Sequence, residues 1–256
     1  MFDAAPLTAL SVQGLTKRFG GLVAVDNITF DLASGRLNAI IGPNGAGKTT
    51  LFNLITGELR PDGGRIRIAG GDITYLKPHK IVRRGVSRTL QIKSVFGGLT
   101  VADNVRAALM AHEGIASPFR PAASYAAVTG SIGELLEAVG LDHHRDTRAS
   151  ALSYGDVALL EIALALANEP KLLLLDEPVC GMGPQETKHA VARILDISKR
   201  IDVVLIEHDM EVVFSIADEI IVMAQGALLA RGAPKEISSN PKVQEAYLGS
   251  PEDEAA

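Results

Sequence analysis

The sequence predicts an α/β fold built on a parallel sheet, and three observations predict it. The first is Gly42-Pro43-Asn44-Gly45-Ala46-Gly47-Lys48-Thr49-Thr50, which fits G-x-x-x-x-G-K-[ST] between a strand-like and a helix-like run. The second is a pair of short, mostly apolar strand-like runs, Lys171–Glu177 ending in two carboxylates and Val203–His208 ending in a histidine. The third is the helical stretch Pro184–Lys199 between them, which gives the strand–helix–strand order of a right-handed crossover.

Taken in order, Thr8–Val12 reads as a first strand and Thr16–Gly21 as a turn. Leu22–Leu32 alternates as paired strands do, so an antiparallel β piece precedes the glycine loop. Leu37–Ile41 is apolar enough for a buried strand. Thr50–Ile55 has apolar residues at helical spacing, and Gly57 stands where that helix stops. Pro61-Asp62-Gly63-Gly64 is a turn, and Arg65–Ile68 alternates like an edge strand. Residues 78–84 read as a basic helix and Val86–Gln91 as another strand.

Residues 95–150 change character: they are alanine-rich and helix-prone, with Thr100 and Asp103 spaced to cap a helix and a periodic run Ile132–Val139 before Gly140. They read as a small helical subdomain inserted into the core. Ser153 and Asp156 are spaced to cap the helix that follows, over Val157–Asn168. Glu219–Leu229 reads as a hairpin around Gly226, and Pro251–Ala256 as a short, acidic, disordered tail.

Composition narrows the function. The chain has 256 residues, enough for one large α/β domain or a core with a smaller subdomain. Its net charge of −5 and its lack of a long Lys/Arg run give a nucleic-acid role little electrostatic support. Cys180 is the one cysteine, so no intrachain disulfide can form. The N-terminus carries Asp3 and no basic region, unlike a secretory signal, and no apolar run approaches the length of a membrane span. Asp142-His143-His144-Arg145-Asp146 reads as a solvated polar turn, because adjacent histidines point apart and lack metal-ligand spacing.

In a parallel sheet the ligand lies beyond the carboxyl ends of the strands. The glycine loop, the Asp176-Glu177 pair and His208 all fall at such ends. Glycines let successive N–H groups turn inward onto phosphate oxygens, and the helix N-terminus adds positive charge. Lys48 can reach the β- and γ-phosphates, and the Thr49 hydroxyl can hold Mg²⁺. Asp176 can also hold Mg²⁺, Glu177 can act as general base on water, and His208 can hydrogen-bond the γ-phosphate. Gln91 can contact the metal or the water. Phe19 reads either as a core aromatic or as a platform for an adenine ring.

With these residues placed, the chain resembles the ABC-type ATPases over nearly its whole length. Gly42–Thr49 matches Walker A, Leu172–Glu177 matches Walker B with its glutamate, and Gln91 and His208 match the Q-loop glutamine and the switch histidine. Leu152-Ser153-Tyr154-Gly155-Asp156 matches the signature usually written LSGGQ, and the resemblance favours adenine stacking for Phe19. The finer likeness is to the ATPases of branched-chain amino acid importers. It rests on the LSYG form, on Glu177-Pro178 leading to Gly181-Met182, on Ile206–Met210, on the insert 109–131 and on the ending Asn240–Gly249. ATPases of lipopolysaccharide transport and of iron–sulfur assembly are the alternatives within the family.

The resemblance implies a P-loop NTPase (RecA-like) core with an N-terminal antiparallel β subdomain and an inserted α-helical subdomain. It divides one ATPase domain, 1–250, into core segments 7–92 and 157–250 and a helical segment 93–156, before the tail 251–256. It implies ATP and Mg²⁺, with Gly42 to Thr50 and Phe19 holding nucleotide and Thr49, Gln91 and Asp176 holding metal. Ser153, Tyr154, Gly155 and Asp156 would act on the ATP of a second ATPase subunit, a related but different chain. Membrane permease subunits, an indirect solute-binding protein and a position on the cytoplasmic face of a bacterial membrane complete the expectation. Asp156 departs from the signature glutamine, and Leu164 from the arginine many members carry.

Overall fold

The computed structural model describes residues 8–89, 95–114 and 126–248. Gln91, the tail 251–256 and part of the insert 109–131 lie outside the described residues.

The central strands form because each is apolar along its whole length. β3 (Leu37–Ile41) and β7 (Leu172–Asp176) are buried at every position, and β8 (Asp202–Ile206) at all but the first. Such runs suit a parallel sheet covered on both faces. With β6 (Val86–Arg88), β9 (Glu219–Ala224) and β10 (Ala227–Gly232) they make a six-stranded sheet in the order β10-β9-β3-β8-β7-β6. Only the β9–β10 pairing, the hairpin around Gly226, is antiparallel.

Alternate side chains of these strands enter different cores, as a period of two requires. Leu173, Leu175, Val203 and Leu205 pack into one cluster with α5 (Tyr154–Leu166), α6 (Pro184–Ser198) and α7 (Met210–Ile216). That cluster also takes in α3 (Val101–His112) and α4 (Ala126–Val139). Leu172, Leu174, Val204 and Ile206 pack into a second cluster with α1 (Lys48–Ile55) and the N-terminal sheet. Each fully buried Leu or Ile contributes about 1.5–3 kcal/mol to folding.

The N-terminal sheet has the order β2-β1-β4-β5, from β1 (Thr8–Phe19), β2 (Leu22–Ala33), β4 (Gly63–Ile68) and β5 (Gly71–Asp72). Two expectations need correction here. Thr16–Phe19 is strand, not turn: Lys17 and Arg18 pair with Val25 and Val23, leaving Gly20-Gly21 to turn the chain. Asp62 holds this extension by accepting from Lys17 Nζ at 3.0 Å and from the Arg18 N–H at 2.7 Å. Arg65–Ile68 is not at the edge, because the two-residue β5 pairs along its free side. A strand that short has no periodicity to read.

The expected caps are present. Thr100 accepts from the Asp103 N–H at 3.0 Å to start α3, and Ser153 from the Asp156 N–H at 3.2 Å to start α5. α5 runs unbroken past residue 156, so the boundary placed there falls inside a helix. No helix among the described residues is long and apolar enough to cross a membrane.

Candidate active site

Register brings the site together. Ile40 pairs with Ile206, and Ile206 with Asp176, across β3, β8 and β7. The next residues on these three strands are Ile41 (then Gly42), Glu207 and Glu177, so loop, carboxylates and histidine share one sheet edge.

The loop between β3 and α1 is held from outside. Gly42 has φ 154° and Gly47 φ 96°. A Cβ on Gly42 would collide with the Met223 carbonyl oxygen, and one on Gly47 with the Ala24 carbonyl oxygen. Only glycine fits where backbone approaches backbone this closely. The Gly226 N–H donates to the Ala46 carbonyl at 3.1 Å, which ties the loop to the β9–β10 turn. Lys48 Nζ donates to the carbonyls of Gly42 at 2.6 Å and Pro43 at 3.0 Å. Burial lowers its pKa, while Glu177 and Asp176 oppose that shift. Thr49 is exposed in the first turn, beside Asn44 and Gly45, which are exposed too.

Asp176 ends β7 with a side chain that is 0% exposed. Its Oδ2 accepts from Arg88 Nη2 at 2.6 Å, and its Oδ1 has no hydrogen-bond partner among the described residues. A buried carboxylate oxygen left without a donor suits a hard cation such as Mg²⁺, or its water. Glu177 follows with φ 51°, a left-handed conformation that costs a non-glycine residue about 1–3 kcal/mol. Its N–H donates to the Ile206 carbonyl at 2.9 Å, which fixes that conformation across the sheet. The His208 ring, 59% exposed, places Nδ1 3.9 Å from Glu177 Oε1 and 3.7 Å from Glu207 Oε2.

Phe19 stands at the end of β1, 45% exposed, with Lys17 Nζ 5.5 Å from its ring centroid. The same hairpin lays Ala24 against Gly47, so it borders the loop. Ser153, Tyr154, Gly155 and Asp156 start α5 on the helical side. Ser153 Oγ donates to Asp156 Oδ2 at 2.9 Å, and His144 Nε2 lies 3.8 Å from the same oxygen. A cleft of about 190 Å³ separates Tyr154 and Glu161 from Thr89, Asp176, Glu177 and Cys180. Desolvation raises the Cys180 pKa, and Glu177 and Glu207 add to the rise. Asp142–His144 form a 3₁₀ turn with Asp142 and His143 exposed and His144 half-buried, and the described residues contain no group of side chains able to hold a metal by themselves.

Sequence reasoning missed three residues that shape this site. Arg88 is an arginine in a buried strand, a placement that requires an anionic partner and could have been read so. Glu207 is buried and accepts from the Val179 and His208 N–H groups at 3.0 Å each, joining the segment after Glu177 to the histidine turn. Burial raises its pKa against those hydrogen bonds. Tyr247, on α9 (Pro241–Leu248), sets its hydroxyl against the Gly42 backbone, and desolvation there pushes that hydroxyl up to about 12. Nothing local marks Tyr247, because its partner lies about two hundred residues away in the chain.

A parallel sheet with a glycine-loop phosphate cradle at its carboxyl edge defines a P-loop nucleoside triphosphatase. The model of the ABC transporter family matches residues 25–180, and that of the branched-chain amino acid ATP-binding cassette transporter matches 227–253. The chain is 42% identical over 254 residues to the branched-chain amino acid transport ATP-binding protein BraF of Pseudomonas aeruginosa, covering 94% of this chain and 97% of that one. It is 42% identical over 250 residues to LivG of Escherichia coli strain K12, with the same coverage of 94% and 97%. Among solved structures, an ATP-binding cassette of an ABC transporter in its ADP conformation superposes with a TM-score of 0.85 at 31% identity, over 95% of this chain and 99% of that one. The chain therefore belongs to the ABC transporter family, as an ATP-binding ATPase subunit.

Proposed function

We propose that this chain hydrolyses ATP to drive import of branched-chain or related amino acids, paired with a second, related ATPase subunit. The observation that carries the hydrolytic reading is the strained Glu177 beside His208, the histidine one strand and the glutamate two strands over from the lysine-bearing loop. The printed names of the relatives and the C-terminal family match support the solute class.

In this reading Gly42, Pro43, Asn44, Gly45, Ala46, Gly47, Lys48, Thr49 and Thr50 form the phosphate cradle, its donors being the Lys48 ammonium and the backbone N–H groups of the loop other than at Pro43, which has none, and Phe19 stacks on adenine. Thr49, Asp176 and Gln91 would hold Mg²⁺, which when bound offsets charge on the β- and γ-phosphate oxygens. Glu177 accepts a proton from water as the water oxygen attacks the γ-phosphorus. The bond to the bridging oxygen breaks, releasing ADP and phosphate. His208 hydrogen-bonds a γ-phosphate oxygen and keeps the water in line. Ser153, Tyr154, Gly155 and Asp156 face the nucleotide of the second subunit. Closure of the pair moves two permease subunits, so the chain works peripherally on the cytoplasmic face of the membrane, with a solute-binding protein delivering the amino acid. Residues 93–156 serve as the helical arm of one ATPase domain.

The test is reconstitution in proteoliposomes with the permease subunits and second ATPase that co-purify with this chain. ATP-dependent leucine uptake that stops on Glu177→Gln supports the reading. ATP turnover with no uptake of any branched-chain amino acid would remove the solute class and leave the ATPase.

A further inference from the structure

Arg88 is the most heavily partnered cation near the site, and the hydrolytic chemistry above does not use it. Its side chain is 7% exposed and sits at the end of β6, three residues before Gln91. Nη2 donates to Asp176 Oδ2 at 2.6 Å, while Nη1 donates to Asn53 Oδ1 at 2.5 Å and lies 3.7 Å from Glu58 Oε2. The guanidinium also lies over Phe52, 5.5 Å from the ring centroid. One planar group thus joins the carboxylate that ends β7 to two consecutive residues of α1.

The geometry points to Arg88 as the positioning residue that presents one chosen oxygen of Asp176 to the metal. Asn53 lies four residues after Thr49 on α1, so the two share a helix face. The arginine fork fixes Asp176 against that face and therefore against the Thr49 hydroxyl. It occupies Oδ2 and leaves Oδ1 buried without a donor among the described residues. A rigid fork can do this; a lysine ammonium offers a point charge and cannot span both partners with the same geometry. The charge of Arg88 also offsets that of Asp176, which would otherwise be an unpaired buried anion. This inference rests on the proposed placement of Mg²⁺ between Thr49 and Asp176.

The test compares ATP affinity with Mg²⁺ and with EDTA, using a fluorescent ATP analogue on the full chain. The variants are Arg88→Lys, which keeps the charge, and Asn53→Ala, which removes the other arm; folding is checked by thermal melting. The ratio of the two affinities isolates the metal's share, and a purely structural role would lower both affinities together. Loss of an outer contact to a metal ligand typically costs tenfold or more. The expected result is a ratio reduced about tenfold in Arg88→Lys and reduced to a smaller extent in Asn53→Ala, with EDTA affinity within about twofold of the parent. A folded Arg88→Lys protein with the parent's ratio would overturn the assignment, as would a parent whose affinity ignores Mg²⁺. A parent that binds no ATP in either buffer would instead overturn the nucleotide-site reading beneath it.

Discussion

The loop Gly42–Thr49 and the turn Ser153–Asp156 both open a helix with small and hydroxyl residues, yet they treat their free N–H groups in opposite ways. α1 has a glycine N-cap with no side-chain cap and no acidic residue in its first turn. Its donors and dipole are left for an anion. α5 has Ser153 as a bonded N-cap and Asp156 in its first turn. Its donors are partly filled from within, and a carboxylate stands where a phosphate would approach. The loop is also walled by Met223, Ala24 and Gly226, whereas Ser153 and Tyr154 are exposed. The glycine loop is thus walled in by its own chain, whereas Ser153 and Tyr154 stand at the surface, where the proposed pairing would bring a second subunit.

The comparison breaks most sharply at the carboxylate edge beside the glycine loop. Replacing Glu177 with Gln should slow phosphate release from the assembled complex by about 10²–10⁴-fold and leave ATP binding intact. Turnover near the parental rate would remove Glu177 as the base. Gly47→Ala should weaken ATP binding at least tenfold, since its Cβ meets the Ala24 carbonyl and its φ is 96°. The same strain should lower unfolding stability by about 1–3 kcal/mol, read from denaturant midpoints. No equivalent change in Ser153–Asp156 should touch the binding of ATP by the isolated chain.

Asp156→Gln sharpens the other side. Removing the carboxylate should raise ATP-driven pairing with the second subunit a few-fold, or leave it unchanged, in sedimentation at matched protein concentrations. A clear loss of pairing would mean that the Ser153–Asp156 bond is itself what the partner's nucleotide needs.

The smallest effect concerns Glu207, which ties the two segments behind the site. Burial, the largest cause, raises its folded pKa above the ordinary 4.5. A raised folded pKa means its stabilising contribution is full below the unfolded value and is lost as pH rises through the folded one. Denaturation of the parent as pH rises above 4.5 should therefore carry a Glu207-dependent fall in stability. Glu207→Gln should show a shallower slope over that range, whatever its absolute stability.

Much of this was legible because it is local. The glycine loop, the apolar runs Leu37–Ile41 and Leu172–Leu175, and the caps at Thr100 and Ser153 each declare themselves within about ten residues. β1 past Thr16 was misread because polar Lys17 and Arg18 look like turn residues until Asp62 is brought to them. Arg88, Glu207 and Tyr247 were passed over because each acts through a partner on another element.

The sequence by itself determined the element types of the central strands and of the helices around them, the parallel core and the phosphate-binding motif, though not β1 past Thr16 or β5, since residue period, glycine placement and chain order are properties of short segments. Only the tertiary structure decided which oxygen of Asp176 is taken and which is left, how Glu177 is strained beside His208, and what walls the loop. Those depend on strand register and on contacts between residues distant in the chain, where a shift of one residue would send every side chain to the opposite face.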